Sequence, residues 1–263
     1  MRKKVICGLV LCAAALTSGC SSRQTISADS NSSINYEEPN SWENDPLLDS
    51  QAVEQYGDIY KGVNSAEEIL SEEGTEYFDK LIQHTLDELS ELDQENGGED
   101  NVDSADRDSL THIVINDTRI YPAKDGLFAM YGLRLGAALN ITWYEIRYIT
   151  AEEESTIYSG NHLEYIRTIS DGEKLYLLWN DGELSSMTAS GEIKSLCKAA
   201  PPNEEAKFLG EISTLTGSGS EITAEIAFVN ESEDSMTGIK SRMVYDLETD
   251  SVTSNEQLEL TEI

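Results

Sequence analysis

The sequence predicts an α+β chain: N-terminal amphipathic helices followed by a mostly antiparallel β-rich domain, arranged as a meander, sandwich or barrel. Three observations point there. Apolar residues recur at helical spacing up to residue 93 and at a spacing of two beyond residue 109. Asp-Gly and Ser-Gly pairs punctuate the second region. No helical pattern separates its strands, which argues against parallel pairing.

The elements follow in chain order. Leu48, Ala52, Val53, Tyr56, Ile59 and Tyr60 form a stripe that predicts a short helix over 49–61. Ser65 and Glu68 have the spacing of a capping box, and Gly74 reads as an interruption of the helix they start. Phe78, Leu81, Ile82, Thr85, Leu86, Leu89 and Leu92 then line one face of a helix over 75–93. Its other face carries Glu76, Asp79, Lys80, Asp87, Glu88 and Glu91, so the stripe should face a core rather than a lipid surface. Residues 94–108 pair Gly97-Gly98 with dense acid and read as a linker.

Beyond it, 109–263 reads as the β-rich domain. Ile113–Ile115 and Ile120–Pro122 flank Asn116-Asp117, a turn signal, and 127–135 and 141–149 are rich in aliphatic and aromatic residues. Glu173–Trp179, Glu183–Thr188 and Glu192–Cys197 alternate and are joined through Asp181-Gly182 and Ser190-Gly191, which marks hairpins. Leu175, Leu177 and Trp179 fall on one face. Further strands are expected near 207–215, 220–229, 236–247 and 251–259. A few propeller blades would look alike locally, but no self-similar repeat of about 40–45 residues is visible.

The 263 residues carry 50 acidic and 18 basic side chains, a formal charge of −32. That balance excludes a nucleic-acid binder, which needs clustered Lys and Arg against phosphates. No apolar run reaches the roughly 18 residues of a spanning helix.

The first twenty residues form an address. Arg2, Lys3 and Lys4 precede the apolar run Val5–Leu16, and Thr17, Ser18 and Gly19 supply small side chains before Cys20. This segment resembles the signal and lipobox of bacterial lipoproteins, with Thr17 where that family usually has leucine. The resemblance covers about the first 22 residues and none of the folded part. It implies cleavage after Gly19, acyl chains (palmitate among them) on Cys20, and an extracytoplasmic protein anchored to a bacterial membrane. Residues 1–19 remove three basic and no acidic side chains, so the mature chain is more acidic still and lipid alone must hold it. Residues 20–48, rich in Ser, Asn and acid, read as a disordered tether with a reach of roughly 30 Å. Cys7 and Cys12 leave with the signal, and Cys197 remains without a disulfide partner.

Catalytic and metal-binding patterns are poor. Asp93, Glu95 and Gly97-Gly98 suggest a calcium loop, but position 5 is Gly97 and position 12 is Ser104, so two ligands fail. His84, His112 and His162 are scattered, and Cys197 lacks a partner at zinc-ligand spacing. Ser195 and Lys198 match S-x-x-K at the end of an expected strand, without the companion motifs. No cofactor, metal ligand or catalytic residue is assigned. Trp143, Tyr144 and Tyr148 on one strand, with Tyr176 and Trp179 on another, make either a sheet core or a platform for a sugar or peptide.

The expected function is a non-catalytic binding or scaffolding domain on a lipid anchor at Cys20, with an envelope protein or wall component as partner. The alternative is an anchored hydrolase of wall polymer or peptide, using a carboxylate pair or Ser195 and Lys198. A solute-binding subunit fits less well, because the helices are grouped before the strands.

Overall fold

The structure, a computed structural model, describes residues 46–95, 104–136, 141–161, 167–179, 181–199, 201, 206–208, 213–232 and 235–259. All of them belong to one compact unit, Ile34–Ile263. Cys20, the leader, the tether up to residue 45 and His162 lie outside the described residues.

The chain is β-rich and antiparallel. Three helices, α1 (Asp49–Tyr56), α2 (Glu72–Glu95) and α3 (Ser104–Thr111), precede three successive sheets. Sheet 1 contains β1 (Ile113–Ala123), β2 (Gly126–Leu135), β3 (Trp143–Ile149) and β4 (Glu154–Gly160). Sheet 2 contains β5 (Arg167–Ser170), β6 (Lys174–Leu178), β7 (Glu183–Thr188) and β8 (Ile193–Lys198). Sheet 3 contains β9 (Lys207–Phe208), β10 (Thr214–Ser218), β11 (Glu221–Ser232), β12 (Ser235–Asp246) and β13 (Ser251–Glu259). Each sheet runs in chain order as an up-and-down meander. In sheet 3, β9 and β10 pair with the same edge of β11 and so form one interrupted first strand.

Alternation puts apolar residues on both faces of the first two sheets, and each face has its own core. Ala52, Tyr60, Ile69 and Phe78 from the helical region pack on Ile120, Leu127, Tyr131, Leu133 and Trp143 of sheet 1. The opposite face of sheet 1, with Tyr121, Phe128, Met130, Tyr144 and Ile146, meets Leu175, Leu177, Trp179 and Met187 of sheet 2. The far face of sheet 2, with Ile169, Tyr176, Leu178 and Leu184, meets Leu215, Ile222, Ala224, Ile226, Phe228, Met243 and Tyr245 of sheet 3. Helices, sheet 1, sheet 2 and sheet 3 are therefore four layers stacked in chain order.

Several local expectations are corrected. Asn116-Asp117 is no turn: β1 runs through it, and the register slips between Ile115 and Asp117 as a β-bulge. Ser65 caps only a short 3-10 turn, Ala66–Glu68, its side chain makes no capping hydrogen bond, and Glu68 accepts from the Asn64 amide at 3.0 Å instead. Gly74 does not break a helix. It lies in the first turn of α2, where the Ser71 hydroxyl accepts its amide at 3.0 Å. The acidic stretch read as a linker carries α3, its residues 96–103 lying outside the described residues. Strands β4 and β5 went unanticipated.

Candidate functional site

Two arrangements of polar side chains stand out, on opposite faces of β4. The first is closed. Glu145 on β3 is fully buried, and its Oε1 accepts from the Ser71 amide at 3.0 Å, the Ser71 hydroxyl at 2.8 Å, the Ser159 hydroxyl at 2.8 Å and Trp143 Nε1 at 2.9 Å. Its Oε2 is buried with no hydrogen-bond partner among the described residues. Ser71 precedes α2, so the carboxylate sits at the positive end of that helix and fastens it to sheet 1. Tyr77 stacks on Trp143 with ring centroids 4.7 Å apart and closes the arrangement from the helix side. Nearby, Tyr131 donates to Tyr60, which donates to Asp49 at 2.5 Å, and burial with that carboxylate pushes the Tyr60 phenol far up. This is a staple between layers, its carboxylate fully buried.

The second arrangement is open. A cleft of about 380 Å³ lies where β4 of sheet 1 meets the β7–β8 side of sheet 2, lined by Tyr158, Gly160, Asn161, Trp179, Glu183, Ser185 and Ile193. Its volume is that of a small-molecule site. A register shift in β4 leaves Ile157 unpaired and sets Tyr158 opposite Ile146, whose side chain faces sheet 2. Tyr158 and Trp179 lie 5.8 Å apart between ring centroids, with planes tilted by 45°. Trp179 is 4% exposed, so its ring belongs mainly to the core between the sheets and only its margin reaches the cleft. Ile193 is 44% exposed and offers an apolar wall.

The polar side of the cleft comes from β7. Glu183 and Ser185 point the same way along that strand, and the Ser185 hydroxyl donates to Glu183 Oε1 at 3.2 Å. Lys198, opposite Glu183 in register, instead gives its ammonium to Asp181 at 2.5 Å. Among the described residues Glu183 enters no ion pair. Gly191, at the tip of the β7–β8 hairpin, has φ +81°, and a Cβ there would come 2.7 Å from the Ile157 carbonyl. That close approach sets how far the hairpin stands from β4, and with it the width of the cleft.

The residues singled out from the sequence are dispersed. Tyr144 lies between sheets 1 and 2 and Tyr176 between sheets 2 and 3, both buried, so they form no common platform. Tyr148 packs on Phe128 at 5.0 Å, and Trp143 belongs to the helix-facing core. Of that aromatic set only Trp179 lines the cleft. Its companion Tyr158 was missed because β4 was missed. Asp181 holds Lys198 protonated, which disarms the amine as a base for Ser195. Burial, with Glu183 nearby, pushes the Cys197 thiol up to about 11, so it stays protonated. His84 is exposed beside Glu88 on α2, and His112 is exposed ahead of β1. Among the described residues no group of His, Cys, Asp and Glu is placed to hold a metal ion, and no helix is long and apolar enough to cross a membrane.

The chain matches no protein-family model and no curated protein.

Proposed function

We propose that this chain is a bacterial envelope lipoprotein, held at the membrane surface by acyl chains on Cys20, with helices and sheets forming one α+β body that binds an extracytoplasmic ligand without converting it. The cleft of Tyr158, Trp179, Glu183 and Asn161 carries the binding reading. It combines aromatic surface, an apolar wall and a few polar groups, the composition of a recognition site. Among the described residues its lining offers one carboxylate, Glu183, whereas hydrolysis of a glycosidic bond ordinarily uses two. The wall-side location rests on the lipobox-like segment before Cys20.

Both halves are testable with the full-length protein. Wild type should sediment with membranes and incorporate labelled palmitate, and Cys20→Ala should do neither. A Cys20→Ala protein that sediments as fully as wild type would overturn the anchor. Lipidated protein in detergent micelles should bind soluble wall fragments saturably, read from tryptophan emission, and return them uncleaved. Absence of binding refutes the cleft as the site, and turnover refutes the non-catalytic reading.

A further inference from the structure

Resting on that binding reading, we infer that the cleft selects an organic ammonium group carried on an apolar stem. Three features converge on this chemistry. Glu183 lines the cleft, is oriented by Ser185, and among the described residues makes no close ion pair: Lys198, opposite it in register and within reach of its charge, hydrogen-bonds Asp181 instead. Tyr158, which lines the same cleft, supplies the aromatic surface that attracts a cation, and the exposed Ile193 offers contact to a methylene chain. A formal charge of −32 raises the local concentration of cations and repels anions, so an acidic ligand is disfavoured before it reaches the cleft. A neutral sugar would use the aromatic surface and donate hydroxyls to Glu183, but it would leave the charge of that carboxylate uncompensated.

A matched pair of probes separates the cases. Nα-acetyl-lysine amide has a free ammonium on a four-carbon stem, and its side-chain-acetylated analogue keeps the stem without the charge. Titrated into the full-length lipidated protein, the charged probe should bind at least about tenfold more tightly, and weaken as salt rises. Glu183→Gln should remove most of that preference and leave the neutral probe unchanged. Glu248→Gln, which removes one exposed charge outside the cleft, should leave the preference intact. Equal binding of the two probes, or equal loss in both variants, would overturn the inference while leaving the cleft a binding site. If wall fragments bind and neither lysine probe does, the ammonium inference fails alone. If nothing binds, the binding reading fails with it.

Discussion

Glu145 and Gly74 depend on each other. One carboxylate oxygen takes four donors, and a side chain at position 74 would stand 2.6 Å from that oxygen and 2.8 Å from Trp143 Nε1. Only glycine lets the first turn of α2 come so close. On an exposed helix Gly→Ala would add up to about 1 kcal/mol. Here the added methyl must push apart the staple, so Gly74→Ala should destabilise the protein by about 1–3 kcal/mol, read as a lower urea midpoint. A higher midpoint would mean that the contact is slack. Glu145→Ala removes the acceptor and leaves its donors buried without one. Its expected cost is roughly 3–5 kcal/mol, with Glu145→Gln costing less because one acceptor oxygen remains. Nothing in the sequence near Glu145 marks it among so many acids. Burial marks it, and burial comes from the alternation of β3 and the approach of α2.

At the level of elements, the β12–β13 turn ties sheet 3 to sheet 2. Asp250 at that turn accepts from Lys194 on β8 at 2.6 Å and from Tyr245 at 2.5 Å, and these two donors hold its carboxyl below the ordinary 3.8. A depressed acid pKa adds stability that is fully present above the unfolded value and is lost as pH falls through the folded one. Asp250→Asn keeps a residue that tolerates the observed φ of 52° and removes the charge. The variant should melt lower than wild type near neutral pH, and the two melting temperatures should converge as pH drops below 3.8. A constant gap across that range would place the effect elsewhere. The same scale shows what could be read from the sequence. Hairpins closed by Asp181-Gly182 and Ser190-Gly191 declare themselves, because their glycines take positive φ. The β3–β4 turn does not: it is built from Thr150, whose hydroxyl accepts the amides of Glu152 and Glu153, with no glycine to signal it. Losing that turn hid β4, and with β4 went Tyr158 and half of the aromatic pair.

For the whole molecule, the layers are made in the order of synthesis, and each needs the next. The helix stripe covers one face of sheet 1, and among the described residues the far face of sheet 2 is covered by sheet 3. A chain ending at Pro201 would expose Ile169, Tyr176, Leu178 and Leu184, each now at most 4% exposed. At about 1.5–3 kcal/mol for each large apolar side chain, the loss amounts to roughly 6–12 kcal/mol. A domain's entire stability is about 5–15 kcal/mol, so the remaining layers should not hold a native core. Such a truncated chain should bind a hydrophobic dye such as ANS and lose its cooperative urea transition. The same logic predicts that the shortened protein loses the cleft, although the lining residues described all lie before Pro201, because β7 packs on both of its faces and β8 packs through Leu196 and Cys197 against the core shared with sheet 3. A cooperative transition and intact ligand binding in the shortened chain would instead show sheet 3 to be a separable unit, carried by the body rather than completing it.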